Sequence, residues 1–175
     1  ITYREIQFEK LKAVEVHLGV GKMTAGDVLN YGADKAVIAT GSHWSTDGRG
    51  AETHRPIPGA DASLPHVCTP EQIMAGKETG DRVVVLDGEG HFTGLAMAEL
   101  MADQGKKGTI VTSLGSVGPY THFTLEVPNL HRMMYEKGIH HHTLHWVESV
   151  EPGMATLYYL YRDGYKREGG PAKGK

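Results

Sequence analysis

Cysteine is nearly absent: Cys68 is the single one in 175 residues. No disulfide can close within the chain, and no Cys-x-x-Cys pair offers a metal or cluster motif. That usage points to a reducing, cytoplasmic compartment. An excess of positive charge is lacking too. Lys and Arg number 18 against 21 Asp and Glu, a net charge of −3. No basic stripe runs along any segment, so neither a nucleic-acid nor a lipid-headgroup surface is expected. No apolar run approaches the roughly 18 residues of a membrane span, and no signal-peptide pattern opens the sequence. No Ser/His/Asp hydrolase signature and no carboxylate pair in an acid–base setting is found. What remains is an ordinary globular composition, 39% hydrophobic and 22% charged, long enough for one domain or two small ones. The sequence starts at Ile1 rather than Met, with no cap or turn ahead of its first helix-forming run, and reads as a fragment of something longer.

The stretch around which the rest is organised is Arg82 to Ser113. Val83-Val84-Val85-Leu86 is a β-branched run bounded by charges, which reads as a buried strand. Glycines follow in Asp87-Gly88-Glu89-Gly90-His91-Phe92-Thr93-Gly94. Next, Leu95, Ala98, Met101 and Ala102 fall on one helical face, with Gly105 as a C-terminal stop. Ile110-Val111 then starts a second strand. A βαβ unit is expected, with parallel strands and a right-handed crossover. Glycines at such a turn let the backbone approach a phosphate seated on the helix N-terminus. Gly88, Gly90 and Gly94, however, are spaced G-x-G-x-x-x-G, one residue longer than the dinucleotide fingerprint. Glu89 adds a negative charge where pyrophosphate would lie. At the end of the second strand, Thr112-Ser113-Leu114 replaces the acid that would bind a ribose. Both an NAD(P) site and a scaffold without a dinucleotide stay open on these residues.

Along the chain, residues 1–12 are rich in helix formers, with Ile6, Leu11 and Phe8 giving a partial apolar face. Val14, Val16 and Leu18 alternate with Glu15 and His17 as a short strand. Met23 to Leu29 fits a strand pair or a helical turn. Asp34 to Gly41 reads as a strand running into the small residues Ala39-Thr40-Gly41, a second place where a nucleotide can approach backbone. Ser42 to Pro58 is a loop, and Pro56-Ile57-Pro58-Gly59 looks like a crossing between domains. Thr69-Pro70-Glu71-Gln72 starts a helix, with Thr69 and Gln72 as a capping box, and Gly76 ends it. After the second strand come a Gly/Pro loop and a helix over 124–137 whose regular part Pro128 delays, carrying Leu130, Met133 and Met134, with Gly138 as stop. Ile139 to Val147 reads as a third strand and Glu151-Pro152-Gly153 as a turn. Ala155–Tyr161 and Tyr165–Glu168 read as a hairpin about Arg162-Asp163-Gly164. The tail 169–175 carries no apolar periodicity. Residues 9–41 and 133–168 weakly echo one another, as two copies of one nucleotide-domain plan.

Several residue groups have a functional and a plain reading. On the third strand, alternation puts His140 and His142 on one face and His141 and His145 on the other. Two imidazoles can share a metal, but no Cys or carboxylate spacing completes a site, so a solvated or half-buried strand face is favoured. Cys68 has His66 nearby and no catalytic partner, which favours a plain loop cysteine. Trp44, Tyr120, Tyr158, Tyr159 and Tyr161 read as packing residues rather than a stacking platform.

Longer stretches carry a resemblance. Asp34–Gly41, ending in Ala-Thr-Gly, resembles the last FAD-domain strand of two-dinucleotide-domain flavoproteins, and Pro56-Ile57-Pro58-Gly59 the segment after it. Lys22–Lys35, Ile57–Pro65, His122–Glu126 and Pro128-Asn129 resemble the trimethylamine dehydrogenase family, which includes dimethylamine and histamine dehydrogenases. The resemblance implies a parent iron–sulfur flavoprotein: an N-terminal barrel with covalent FMN and a four-iron cluster oxidises an amine, and electrons leave to an electron-transferring flavoprotein. It implies ADP, or an FAD-type nucleotide, in the FAD-like domain, no NAD in the NAD-like domain, and a homo-oligomeric parent. No barrel, FMN-attaching cysteine or cluster cysteines are in this sequence, so no catalytic residue carries over.

The resulting expectation is an α/β fold with Rossmann-like parts. Residues 1–55 would be the second half of an FAD/ADP-binding-like domain and 56–80 an interdomain crossing. Residues 81–168 would be an NAD-binding-like βαβ domain lacking its last strand, and 169–175 a mobile tail. Candidate cofactor-binding residues are Ala39, Thr40, Gly41, Gly88, Gly90 and Gly94. The competing readings are an active NAD(P)H-binding domain, as in relatives like dienoyl-CoA reductase, and a non-enzymatic interaction module.

Overall fold

A computed structural model of the chain describes residues 2–50 and 52–162. It divides into two compact units, Ile1–Ser42 and His43–Lys175.

The described residues of the first unit form two helices. Helix α1 (Thr2–Lys10) leaves Ile6, Phe8 and Leu11 exposed. Helix α2 (Ala25–Asn30) resolves the ambiguous segment. Thr24 Oγ1 accepts from the Asp27 N–H at 3.2 Å and Asp27 Oδ2 accepts from the Thr24 N–H at 2.8 Å, a reciprocal cap that satisfies orphan donors of the first turn. The strands expected at 14–18 and 34–41 do not form, and the echo between 9–41 and 133–168 fails on the same point. A strand exists only as a hydrogen-bonded pair, and no described segment pairs with either one. Val37 and Ile38 are accordingly 91% and 84% exposed.

The second unit is built on a parallel sheet. Strands β1 (Arg82–Asp87), β2 (Lys107–Thr112) and β3 (His140–His142) lie in the order β1-β2-β3. Arg82 pairs with Lys107 and Asp87 with Thr112, in register and parallel, as the βαβ pattern requires. The crossover is α4 (Phe92–Asp103), which buries Gly94, Leu95, Ala98 and Met101. Gly105 ends it at φ +79°, while the Lys106 N–H reaches back to the Met101 carbonyl at 3.0 Å. A short 3-10 helix (Pro119–Thr124) and α5 (Val127–Glu136) return the chain to β3, with Pro128 in the first turn of α5 and Gly138 at φ +64° after it.

Side chains of β2 alternate between two cores. Ile110 joins Leu95, Ala98, Val117, Met134 and Ile139 on the helix face. Val111 joins Ile57, Ala60, Trp146, Val147 and Tyr158 on the other face. With both faces covered, β2 is the apolar centre of the sheet. Among the described residues β1 is an edge of the sheet, not the buried strand expected, and Val84 stays 47% exposed.

The third strand does not run through to Val147. Leu144 takes φ +55° and breaks it into β3 and β4 (His145–Glu151). Strand β4 pairs antiparallel with β5 (Met154–Tyr159) about Pro152-Gly153, with an irregularity between Val147 and Ser149. This β4–β5 hairpin was not expected; β5 covers most of the first arm of the hairpin expected over 155–168. That second arm, Tyr165–Glu168, the Asp163-Gly164 turn and the 169–175 tail lie outside the described residues.

The segment before β1 is tied to this unit. Thr69 Oγ1 accepts from Gln72 N–H at 3.3 Å and Gln72 Oε1 from Thr69 N–H at 3.1 Å, the capping box of α3 (Pro70–Met74). Lys77 Nζ donates to the carbonyls of Ala62, Leu64 and Val67 at 2.8, 2.9 and 2.7 Å. Loop 43–58 is anchored too. Trp44 N–H donates to Glu71 Oε1 at 2.9 Å, and Ala62 N–H to the Thr46 carbonyl at 2.7 Å. The division between the compact units falls after Ser42.

Candidate functional site

Parallel sheets bind ligands beyond the carboxyl ends of their strands. Here that place is the turn between β1 and α4. Gly90 takes φ +70°, which only glycine adopts without strain. The backbone then presents the N–H groups of Glu89 and Gly90 inward.

Those donors already have an acceptor. Asp87, the last residue of β1 and 2% exposed, accepts from Glu89 N–H at 3.2 Å and from Gly90 N–H at 3.0 Å through Oδ1. Its Oδ2 is buried with no hydrogen-bond partner. Gly94, in the first turn of α4, makes room for this carboxyl: a Cβ there would lie 2.9 Å from Asp87 Cγ.

The glycines of the turn face protein rather than open space. A Cβ on Gly90 would lie 2.4 Å from Leu114 Cδ1 and 3.0 Å from Tyr120 Cδ2. A Cβ on Gly88 would lie 3.0 Å from Trp146 Cη2. Tyr120 N–H donates to the Gly90 carbonyl at 3.1 Å, and its ring stands 5.1 Å from that of His91. Leu114, at the position where a ribose-binding acid would stand, thus packs on the turn. Gly88, Gly90 and Gly94 are brought together as the sequence suggests, but they serve close packing. The residues present do not fit a dinucleotide pyrophosphate.

Burial pushes the Asp87 carboxyl above the usual carboxylate range. The Gly90 and Glu89 N–H groups pull it back, the Glu89 charge adds to the rise and His91 opposes it. A carboxyl that titrates higher folded than unfolded contributes stability that is fully present below the unfolded value, about 3.9. That contribution is lost as pH rises through the folded value. Asp87→Asn, which keeps an acceptor oxygen and no charge, should therefore gain stability relative to the wild type between pH 4 and pH 7. Urea denaturation of both proteins across that range checks it. A gap that is flat or moves the other way would refute the sign.

Ala39, Thr40 and Gly41 are exposed and stand on no strand. Gly41 takes φ +75° with nothing within 4 Å of a Cβ, so its backbone is open to approach. The histidines are rearranged by the break at Leu144. The rings of His142 and His145, expected on opposite faces, meet at 5.5 Å, and His145 Nδ1 lies 2.6 Å from the Thr143 carbonyl. No group of three or more His, Cys, Asp or Glu among the described residues is placed to hold a metal ion. No helix among them is long and apolar enough to cross a membrane.

The sequence reading missed Asp87 and Trp146. Asp87 had a signal: an Asp two and three residues ahead of turn N–H groups is a side-chain acceptor for them. Trp146 had none, because it lies on a different element from the turn it covers.

Residues 68–174 match the model of the family described as OYE-like second alpha/beta domain. Dimethylamine dehydrogenase of Hyphomicrobium sp. (strain x) is 43% identical over 170 residues, which are 94% of this chain and 23% of that protein. The solved structure of histamine dehydrogenase from Rhizobium sp. 4-9 superposes with a TM-score of 0.76 at 34% identity, covering 91% of this chain and 25% of that one. The 6-hydroxypseudooxynicotine amine oxidase of Pseudomonas geniculata N1 gives 0.77 at 33%, covering 91% and 24%. The chain thus spans about a quarter of the length of these relatives. With a relative 43% identical over 94% of the chain and Lys22–Lys35 and Ile57–Pro65 inside the matched span, the chain belongs to the trimethylamine dehydrogenase family.

Proposed function

We propose that this chain is a structural, nucleotide-holding portion of an amine dehydrogenase and carries none of the amine chemistry itself. The observation behind the structural part of this reading is the glycine turn, whose inward N–H groups are taken by Asp87 and whose walls are Leu114, Tyr120 and Trp146. In this reading the βαβ unit is a Rossmann-like, NAD-like domain that holds no NAD, and residues 1–55 belong to an FAD-like domain. ADP-type contacts, if the parent makes them here, fall near the open backbone of Ala39-Thr40-Gly41. The parent oxidises a small amine, by N-demethylation or deamination, and passes electrons to an electron-transferring flavoprotein. It is read as a cytoplasmic homo-oligomer. FMN and a four-iron cluster in its barrel would supply the redox chemistry.

The test uses the purified 175-residue chain beside the longer protein that contains it. The chain alone should show no flavin absorbance and reduce no dye with trimethylamine, dimethylamine or histamine, while the longer protein should do both. A yellow, amine-oxidising preparation of the chain alone would overturn the proposal. Micromolar NADH binding in calorimetry would instead favour an NAD(P)H-binding reductase domain.

A further inference from the structure

Phe123 and Leu125 are 82% and 79% exposed, two positions apart at the end of the 3-10 helix. One exposed apolar side chain is ordinary on any surface. These two differ in how firmly they are held there. Thr121, 1% exposed, ties the turn together. Its hydroxyl donates to the Gly118 carbonyl at 2.7 Å, and its carbonyl accepts from the Thr124 hydroxyl at 2.9 Å and the Glu126 N–H at 3.2 Å. Just upstream, His131 Nε2 lies 3.0 Å from the Val117 carbonyl. Phe123 meets the ring of the adjacent His122 edge-on at 6.1 Å. Leu125 takes φ +62° and closes the turn, its N–H donating to the His122 carbonyl at 3.1 Å. An L side chain is strained in that conformation and glycine is not. At 79% exposed, the leucine gains little packing within this chain in return. Backbone conformation and burial would both favour glycine in a self-sufficient domain. An apolar side chain kept at a strained, solvent-facing position therefore has its partner elsewhere.

We propose that Phe123 and Leu125 are an interdomain anchor, a rigid apolar pair that seats in an apolar pocket on the part of the longer polypeptide outside residues 1–175. This rests on reading the chain as a portion of an amine dehydrogenase. Length supports the choice of occupant. The chain spans 23% of the dimethylamine dehydrogenase it matches and 25% of the histamine dehydrogenase, so most of a protein of that size lies beyond it. Area supports it too. Two side chains cover far less than the surface that separate copies must bury to stay associated. Within one polypeptide the two surfaces are already tethered, so a small apolar contact is enough to hold them together.

Hydroxyl-radical footprinting read by mass spectrometry tests this on wild-type protein, comparing the 175-residue chain with the longer protein at equal radical dose. Phe123 and Leu125 should oxidise about tenfold more slowly in the longer protein, since a seated side chain loses its contact with solvent. Equal oxidation in the two would overturn the inference and leave the amine dehydrogenase reading standing. That reading fails separately, if the chain alone is yellow and oxidises amines. Protection that is lost when the longer protein is diluted, or that grows as the chain alone is concentrated, would give the pair to a second copy and overturn the inference as well. Leu125→Gly checks the other half of the argument on the chain alone. Relief of strain offsets the extra freedom glycine brings to the unfolded chain, so the urea midpoint should be unchanged or higher. A markedly lower midpoint would mean that the leucine packs within its own chain, and would overturn the inference.

Discussion

Trp146→Ala should lower the unfolding free energy by about 3–5 kcal/mol, the usual cost of emptying a buried indole site. Trp146 is 1% exposed and packs with Ile57, Val111, Val147 and Tyr158. Its ring also spans two backbone approaches. A Cβ on Gly50 would lie 2.9 Å from Cζ2, and one on Gly88 3.0 Å from Cη2. With bare glycine backbone on two sides, no neighbouring side chain can swing in to refill the volume, so the cavity term is expected near the upper end. Trp146 Nε1 is buried without an acceptor. Trp146→Phe, which deletes that donor and keeps a ring, should therefore lose markedly less than the alanine variant. Urea denaturation followed by far-UV circular dichroism measures both, since the far-UV signal does not depend on the removed indole. An alanine loss below about 1 kcal/mol, the centre of the range for ordinary substitutions, would contradict the role assigned to Trp146.

Gly59→Ala should cost about 2–4 kcal/mol, for two separable reasons. Gly59 takes φ +79°, where an L side chain costs roughly 1–2 kcal/mol. Its Cβ would also stand 1.9 Å from the Val150 carbonyl oxygen, a backbone atom that cannot rotate away. Relief requires the 57–60 turn to leave β4, and that breaks the Val150 N–H to Pro58 carbonyl hydrogen bond of 2.8 Å. Gly153 supplies the control: it takes φ +80°, and a Cβ there meets nothing within 4 Å. Gly153→Ala should show the conformational cost alone. Equal losses at the two positions would mean that the Gly59 contact adds nothing.

Local signals in the sequence carried much of the second unit. The apolar run of β1, the stop at Gly105, and the Thr69/Gln72 capping box each depend on neighbours within a few residues. They predicted the parallel β1–β2 pair, a helix from Phe92 and a helix from Pro70. The break at Leu144 was not legible, because nothing in Thr143-Leu144 advertises a positive φ. The β4–β5 hairpin that follows the break was not foreseen for that reason. The strands read at 14–18 and 34–41 had fair local patterns and still did not form, because a strand is decided by a partner that pattern alone does not supply.

The sequence by itself determined the family, through Lys22–Lys35 and Ile57–Pro65, and the order of the βαβ elements, because those depend on residue identity and short-range periodicity. It also placed Gly88, Gly90 and Gly94 at one turn. What those glycines are for was decided only in three dimensions. The same spacing serves a phosphate when the space before it is open and a packed turn when it is filled. It is filled by Asp87 from the strand end, Leu114 and Tyr120 from the loop after β2, and Trp146 from the hairpin. Three of those four lie more than twenty residues from the turn, and burial and hydrogen bonding between distant segments leave no mark in local sequence.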